Sequence, residues 1–189
     1  MHNLFTSGFA LLLLCSFALG HPLEARNKTS ADSFVLTALS ATFPSDGAYG
    51  LTSADSSLTI HLDYPDPDKR GKRLSTICSA GWPKGTVLGP TNWIPCEDSA
   101  VQFRLPKRGW ESPTRFTLEG WQELSTNGVG LDAVQELAMD PANPSDPTAF
   151  LFCVQRGKFN PLSCDLTGPY GFANREVVIP TNKLKTIPH

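Results

Sequence analysis

Beyond residue 20 the chain has no apolar run approaching the roughly 20 residues that a membrane-crossing helix needs. It also lacks an excess of charge of either sign. Sixteen Lys and Arg stand against eighteen Asp and Glu, for a formal net charge of −2. That near-balance excludes a protein built mainly on neutralising phosphates, so no nucleic-acid or membrane partner is expected. Histidine is scarce, four in 189 residues, and there is no Cys-x-x-Cys, so no metal site is expected. Gly-x-Ser-x-Gly, His-Glu-x-x-His and a phosphate-binding loop are all missing. Gly128-Val129-Gly130 lacks the third glycine of a dinucleotide loop, and no cofactor is expected. Internal repeats are absent, and no long linker follows residue 32. With 15 Gly and 16 Pro the chain is rich in turn formers but short of low-complexity composition.

What the sequence does contain begins with a leader. Residues 9–19 are an apolar core closed by Gly20, too short to span a bilayer. Ala18 and Gly20 are the small residues a signal peptidase inspects. Residues 1–20 are therefore expected to be a signal peptide, with a polar segment at 21–32, one β domain at 33–182 and a C-terminal tail at 183–189. A signal anchor is the alternative, disfavoured because no charged stop-transfer flank follows. Secretion into the extracellular space sets the reading of the cysteines. Cys78, Cys96, Cys153 and Cys164 remain after the leader, an even number in an oxidising compartment. Three pairings are open. The short separations favour Cys78–Cys96 and Cys153–Cys164, each closing a loop worth roughly 3 kcal/mol. Asn27-Lys28-Thr29 is a glycosylation sequon, whereas Asn143-Pro144-Ser145 is excluded by its proline.

The body of the chain alternates with period two. Leu58, Ile60 and Leu62 oppose Thr59, His61 and Asp63; Val101, Phe103 and Leu105 oppose Gln102 and Arg104. Phe116 and Leu118 repeat the pattern. Residues 150–154 are apolar on both faces, as in a central strand or one beneath a disulfide. Residues 176–179 are a closing strand ended by Pro180. Leu131–Met139 reads either as a helix with Leu131, Val134 and Ala138 on one side, or as a strand with Leu131, Ala133 and Leu137 inward. Turn clusters at 44–47, 66–68, 83–85, 127–128 and 141–147 separate the strands. The expected fold is all-β, a single antiparallel barrel or sandwich with the two local disulfides.

Candidates for chemistry are few. His61 and Asp63 share a strand face and would suit a base with its orienting carboxylate, but a surface histidine beside a solvated aspartate is the favoured reading. Asp63, Asp66 and Asp68 lack the glycine and distal glutamate of a calcium loop. Glu119 and Glu123 are paired carboxylates without a specific spacing. Lys69-Arg70-Gly71-Lys72-Arg73 is a basic run that reads as an exposed hairpin tip, or as a substrate for a secretory-pathway protease. Trp82, Trp93 and Trp121 are the binding candidates. Trp82 and Trp93 lie inside the Cys78–Cys96 loop. Trp121 counts onto a polar strand face, so it is either exposed or returned to the core by a bulge at Gly120.

Several local stretches carry a family likeness. These are His21-Pro22-Leu23-Glu24-Ala25-Arg26 after the leader, Thr76-Ile77-Cys78-Ser79-Ala80, and Asn92-Trp93-Ile94-Pro95-Cys96 with Val101-Gln102-Phe103 following. Phe152-Cys153 through Ser163-Cys164 and Val177-Val178-Ile179-Pro180-Thr181 complete the set. In these the chain resembles the small secreted fungal proteins typified by the Alternaria major allergen, a family that includes elicitors of plant cell death. The resemblance covers most of residues 57–181. It implies a β-barrel, no enzymatic activity, and action outside the fungus by binding host proteins or small plant compounds. The allergen's additional subunit-linking cysteine has no counterpart in residues 21–77, so a monomer or non-covalent oligomer is expected. The leading expectation is a secreted, non-enzymatic effector or elicitor acting through its surface on an extracellular plant protein. A carrier of a small phenolic or flavonoid ligand is second, and a secreted hydrolase third.

Overall fold

The structure, a computed structural model, describes residues 32–44, 55–83, 89–125, 128–143, 146–158, 160–166 and 176–188. The leader, Asn27 and most of the 21–32 segment lie outside these, as do residues 45–47, 84–85, 127 and 144–145 of the expected turns.

Among the described residues twelve strands build two antiparallel sheets, and no α-helix occurs. In the first sheet β1 (Phe34–Phe43) is central. One of its edges pairs with β2 (Ser56–Pro65), which pairs in turn with β3 (Arg73–Trp82). The opposite edge is shared end to end by β10 (Leu162–Asp165) and β11 (Val177–Ile179), and β9 (Phe152–Gln155) lies beyond β10. The second sheet repeats this plan around β7 (Arg115–Glu123). β8 (Gly130–Ala138) runs along one edge and is flanked by β12 (Thr181–Leu184). β5 (Val101–Arg104) and β6 (Trp110–Ser112) divide the other edge, and β4 (Ile94–Pro95) lies outside β5.

Alternation dictates the core. Leu58, Ile60 and Leu62 of β2 and Val101 and Phe103 of β5 point between the sheets, each at most 1% exposed. β1 shows why its own pattern is harder to read. The register with β2 slips between Leu36 and Ala38, which makes Thr37 a bulge residue. Phe34 and Leu36 face inward before it, Leu39, Ala41 and Phe43 after it. One extra residue switches the parity of the strand and keeps both halves in the core. The Thr37 hydroxyl donates to the His61 carbonyl at this point.

The segment read as helix or strand resolves as a strand, β8, which ends at Ala138. Leu131, Ala133 and Leu137 are inward, and β8 pairs with β7 over nine consecutive positions from Arg115↔Ala138 to Glu123↔Gly130. Of the two readings for this segment, a central strand or one beneath a disulfide, the structure has the second: residues 152–155 form an edge strand bearing Cys153–Cys164. Cys153 faces the core while Phe152 is 37% exposed. Both expected disulfides are present, Cys78–Cys96 and Cys153–Cys164. The first joins β3 of one sheet to the residue after β4 of the other. The second links directly opposed residues of β9 and β10.

The chain changes sheets at Pro180, between β11 and β12, and β12 runs through Leu184. No ladder joins the two sheets among the described residues, so of the two expected forms, barrel and sandwich, the fold is the sandwich. Polar bridges tie the layers instead. The Glu97 amide donates to the Ile77 carbonyl at 2.8 Å, and the buried Gln122 donates through Nε2 to the Pro65 carbonyl at 2.8 Å.

Candidate functional site

The three tryptophan candidates have different fates. Trp82 is 7% exposed and packs its ring against Phe43, 6.1 Å between centroids. Trp121 is 2% exposed, yet it keeps to the outward face of the second sheet, because β7 runs in unbroken register with β5 and β8. The bulge expected at Gly120 is therefore absent. Gly120 instead faces the opposite sheet, where a methyl group would lie 3.0 Å from the Phe34 ring. On the outward face the Trp121 indole lies against Gly130 of β8, whose missing side chain leaves room for it. A Cβ there would come within 2.3 Å of its Cζ2. Neither Trp82 nor Trp121 presents a ring to solvent.

Trp93 remains half-buried at the surface. Its Nε1 donates to the Pro188 carbonyl at 2.8 Å, which fastens the chain's last described residues beside β4. The Arg104 guanidinium lies over its ring, 4.5 Å from the centroid, the geometry of a cation–π contact. Arg104 is held from the other side by Glu119, Nε to Oε2 at 2.5 Å, across the β5–β7 pair. Both side chains are mostly buried, at 11% and 16% exposure, so the pair is a fixed element of the surface. Burial and bidirectional anchoring leave little rotamer freedom to lose when a ligand arrives.

Around this pair opens a groove of about 520 Å³ lined by Thr91, Arg104, Pro106, Lys107, Arg108 and Glu119. Lys107 and Arg108 stand exposed on a single 3-10 turn and make its rim basic. Beyond Glu119 on the same face lies Asp132, opposite Trp121 on the β7–β8 ladder. It is 9% exposed, and its Oδ1 has no hydrogen-bond partner among the described residues. Burial, reinforced by the negative charge of Glu119 and opposed by Arg104, pushes its carboxyl above the ordinary range. The face thus offers a planar cation stacked on an indole, two cationic rim groups and a carboxyl biased toward its neutral form.

The other chemical candidates do not converge. His61 is exposed, and its strand neighbour Asp63 accepts from the Ser75 hydroxyl at 2.6 Å. Asp66 caps its own turn by accepting from the Asp68 amide at 2.9 Å. Glu123 is exposed on the rim, one outward position beyond Trp121. No group of three or more His, Cys, Asp or Glu is placed to hold a metal ion among the described residues. No helix among them is long and apolar enough to cross a membrane.

Sequence reasoning missed Arg104 as a site residue. Its only local signal was an outward position on a strand one β-pair away from Trp93, and the pairing of β5 with β7 that brings Glu119 to it is not local. Set beside known proteins, the chain matches no family model, no curated protein and no solved structure.

Proposed function

We propose that this chain is a secreted, non-enzymatic effector- or elicitor-like protein that binds an extracellular plant protein through the outer face of its second sheet. The observation that carries the reading is the immobilised Trp93–Arg104–Glu119 constellation beside a groove with a basic rim. Interfaces concentrate affinity in such rigid aromatic and arginine anchors, and the rim charges steer approach. The resemblance to the allergen and elicitor family, and two disulfides suited to an oxidising compartment, support the same reading.

The test is infiltration of purified protein into leaf tissue together with recovery of bound plant proteins. The wild type is expected to elicit a response and retain a partner. Lys107→Glu with Arg108→Glu, at two exposed positions, should abolish both while leaving the melting temperature unchanged. A wild type without response or partner, or a charge-reversed variant as active as wild type, would sink the proposal.

Trp93 beside the groove favours one second reading, a carrier of a small phenolic compound. Saturable quenching of tryptophan fluorescence by a plant phenolic supports it, and the absence of quenching removes it.

A further inference from the structure

We infer that the tip of the β2–β3 hairpin is a processing site, cleaved after Arg70 by an endoprotease specific for paired basic residues, and that the product is a two-chain protein held together by its sheet. The described residues contain three such pairs, Lys69-Arg70, Lys72-Arg73 and Lys107-Arg108, and the backbone treats them differently.

Lys69-Arg70 belongs to a run, Pro67 to Lys72, in which every residue is exposed. The Lys72 amide donates to the Lys69 carbonyl at 3.0 Å and Gly71 has φ of 80°, the geometry of a type II turn with Arg70 and Gly71 at its corners. The flanking bonds run from the Asp66 amide to the Lys72 carbonyl and from the Lys69 amide to the Asp66 carbonyl. Neither the Arg70 carbonyl nor the Gly71 amide takes part in them. The space around Gly71 is open, with nothing within 4 Å of where a Cβ would sit. A protease that needs its substrate extended has only this turn to open, and the lysine and arginine side chains already point into solvent.

The other two pairs are guarded. Arg73 begins β3 opposite Pro65, and its guanidinium donates to the Ser33 hydroxyl at 2.8 Å. Extending the chain there means unzipping the hairpin. Lys107-Arg108 is exposed but wound into a 3-10 turn closed by the Gly109 amide on the Pro106 carbonyl. Gly109 is pressed so close to β7 that a methyl group would lie 2.3 Å from Thr117 Cβ. A protease cannot draw that peptide into an extended form without lifting the turn off the sheet.

The consequence of the cut follows from the topology. The amino-terminal piece carries β1 and β2, the carboxy-terminal piece everything else. Both disulfides lie within the second piece, so no covalent bond links the two. Yet β2 pairs with β3 over ten positions, and β1 is enclosed between β2 on one edge and β10 and β11 on the other. The sandwich survives with a new amino terminus at Gly71.

The experiment treats the folded full chain with a dibasic-specific endoprotease at limiting dose, reading the products by intact mass and amino-terminal sequencing. The expected first product begins at Gly71. The two pieces should co-elute on native size exclusion and separate in denaturant without reductant. Arg70→Gln should slow this cut by about tenfold or more, while Arg73→Gln and Arg108→Gln should not change its rate. A first cut at Leu74 or Gly109, an intact chain, an Arg70→Gln variant cleaved at the wild-type rate, or pieces that part under native conditions would each overturn the inference.

Discussion

At the scale of single residues, two positions on the outer face of the second sheet show how one atom more or less decides a surface. Gly130 gives up its side chain so that Trp121 can lie flat against β8. A methyl group there would meet the indole at 2.3 Å and the Gln122 carbonyl at 2.4 Å, and the backbone oxygen cannot move aside. Gly130→Ala should therefore cost about 1–3 kcal/mol of overpacking, read as a lower denaturation midpoint at unchanged slope. Asp132 tests the electrostatics of the same neighbourhood. Its carboxyl titrates above the ordinary 3.8 because it is buried, with Glu119 adding to the effect and Arg104 opposing it. A carboxyl whose native pKa exceeds its unfolded one binds its proton more tightly when folded. It thus contributes stability below 3.8 that is lost as pH rises through the native value. Asp132→Asn removes that dependence. The variant should gain stability relative to wild type as pH rises from acid to neutral, in urea midpoints measured across that range; a constant or shrinking difference would contradict the assignment.

At the scale of strands, each sheet is organised by one long strand, β1 or β7, with a continuous partner on one side and two short strands sharing the other. Short strands are weak by themselves, since few ladder bonds offset the entropy of ordering them. β9 and β10 have four paired positions and meet this need with Cys153–Cys164. Replacing both cysteines by alanine should cost roughly 3 kcal/mol on the chain-entropy account and loosen β9 first, visible as early loss of amide protection at residues 152–155. The assignment of these elements was partly legible in the chain. Strict alternation located β2, β5 and the start of β7, because a strand with one wet face needs no other information. β8 was ambiguous because its apolar residues fit helix and strand spacing alike, and only nine pairings with β7 choose between them. β9, apolar on both faces, fitted either a central strand or one beneath a disulfide; it is the latter, at the sheet edge with Phe152 37% exposed.

For the whole molecule, the question is what keeps two sheets in one register. Cys78–Cys96 crosses between them, the Pro180 corner passes the chain from one to the other, and Gln122 and the Tyr64–Asp98 hydrogen bond add polar bridges. Burial and the adjacent Asp98 carboxylate push the Tyr64 hydroxyl well above its ordinary pKa, so it remains a donor across the usable pH range. Removing Cys78–Cys96 should also cost roughly 3 kcal/mol, but its effect should be global. The Cys78→Ala, Cys96→Ala protein is expected to lose both sheets in one lowered transition, without the early local step predicted for the edge disulfide. A separate early transition confined to β4 and β5 would show that the staple is local after all. The Trp93–Arg104–Glu119 cluster belongs to this scale as well, because Trp93, the Arg104–Glu119 pair and the Pro188 carbonyl bonded to the indole come from separate parts of the chain.

The sequence by itself determined the all-β class and the inward sets of β2 and β5, and favoured the local pairing of the four cysteines that the structure contains. Each of these follows from local period or short separation, which physics reads along the chain. The tertiary structure alone decided that the sheets form a sandwich, that Thr37 reverses the parity of β1, that Gly130 makes room for Trp121, and that Trp93 rather than Trp82 or Trp121 stacks with the Arg104 that lines the groove. Those outcomes depend on which strands become neighbours, and strand adjacency is set by burial summed over the whole core.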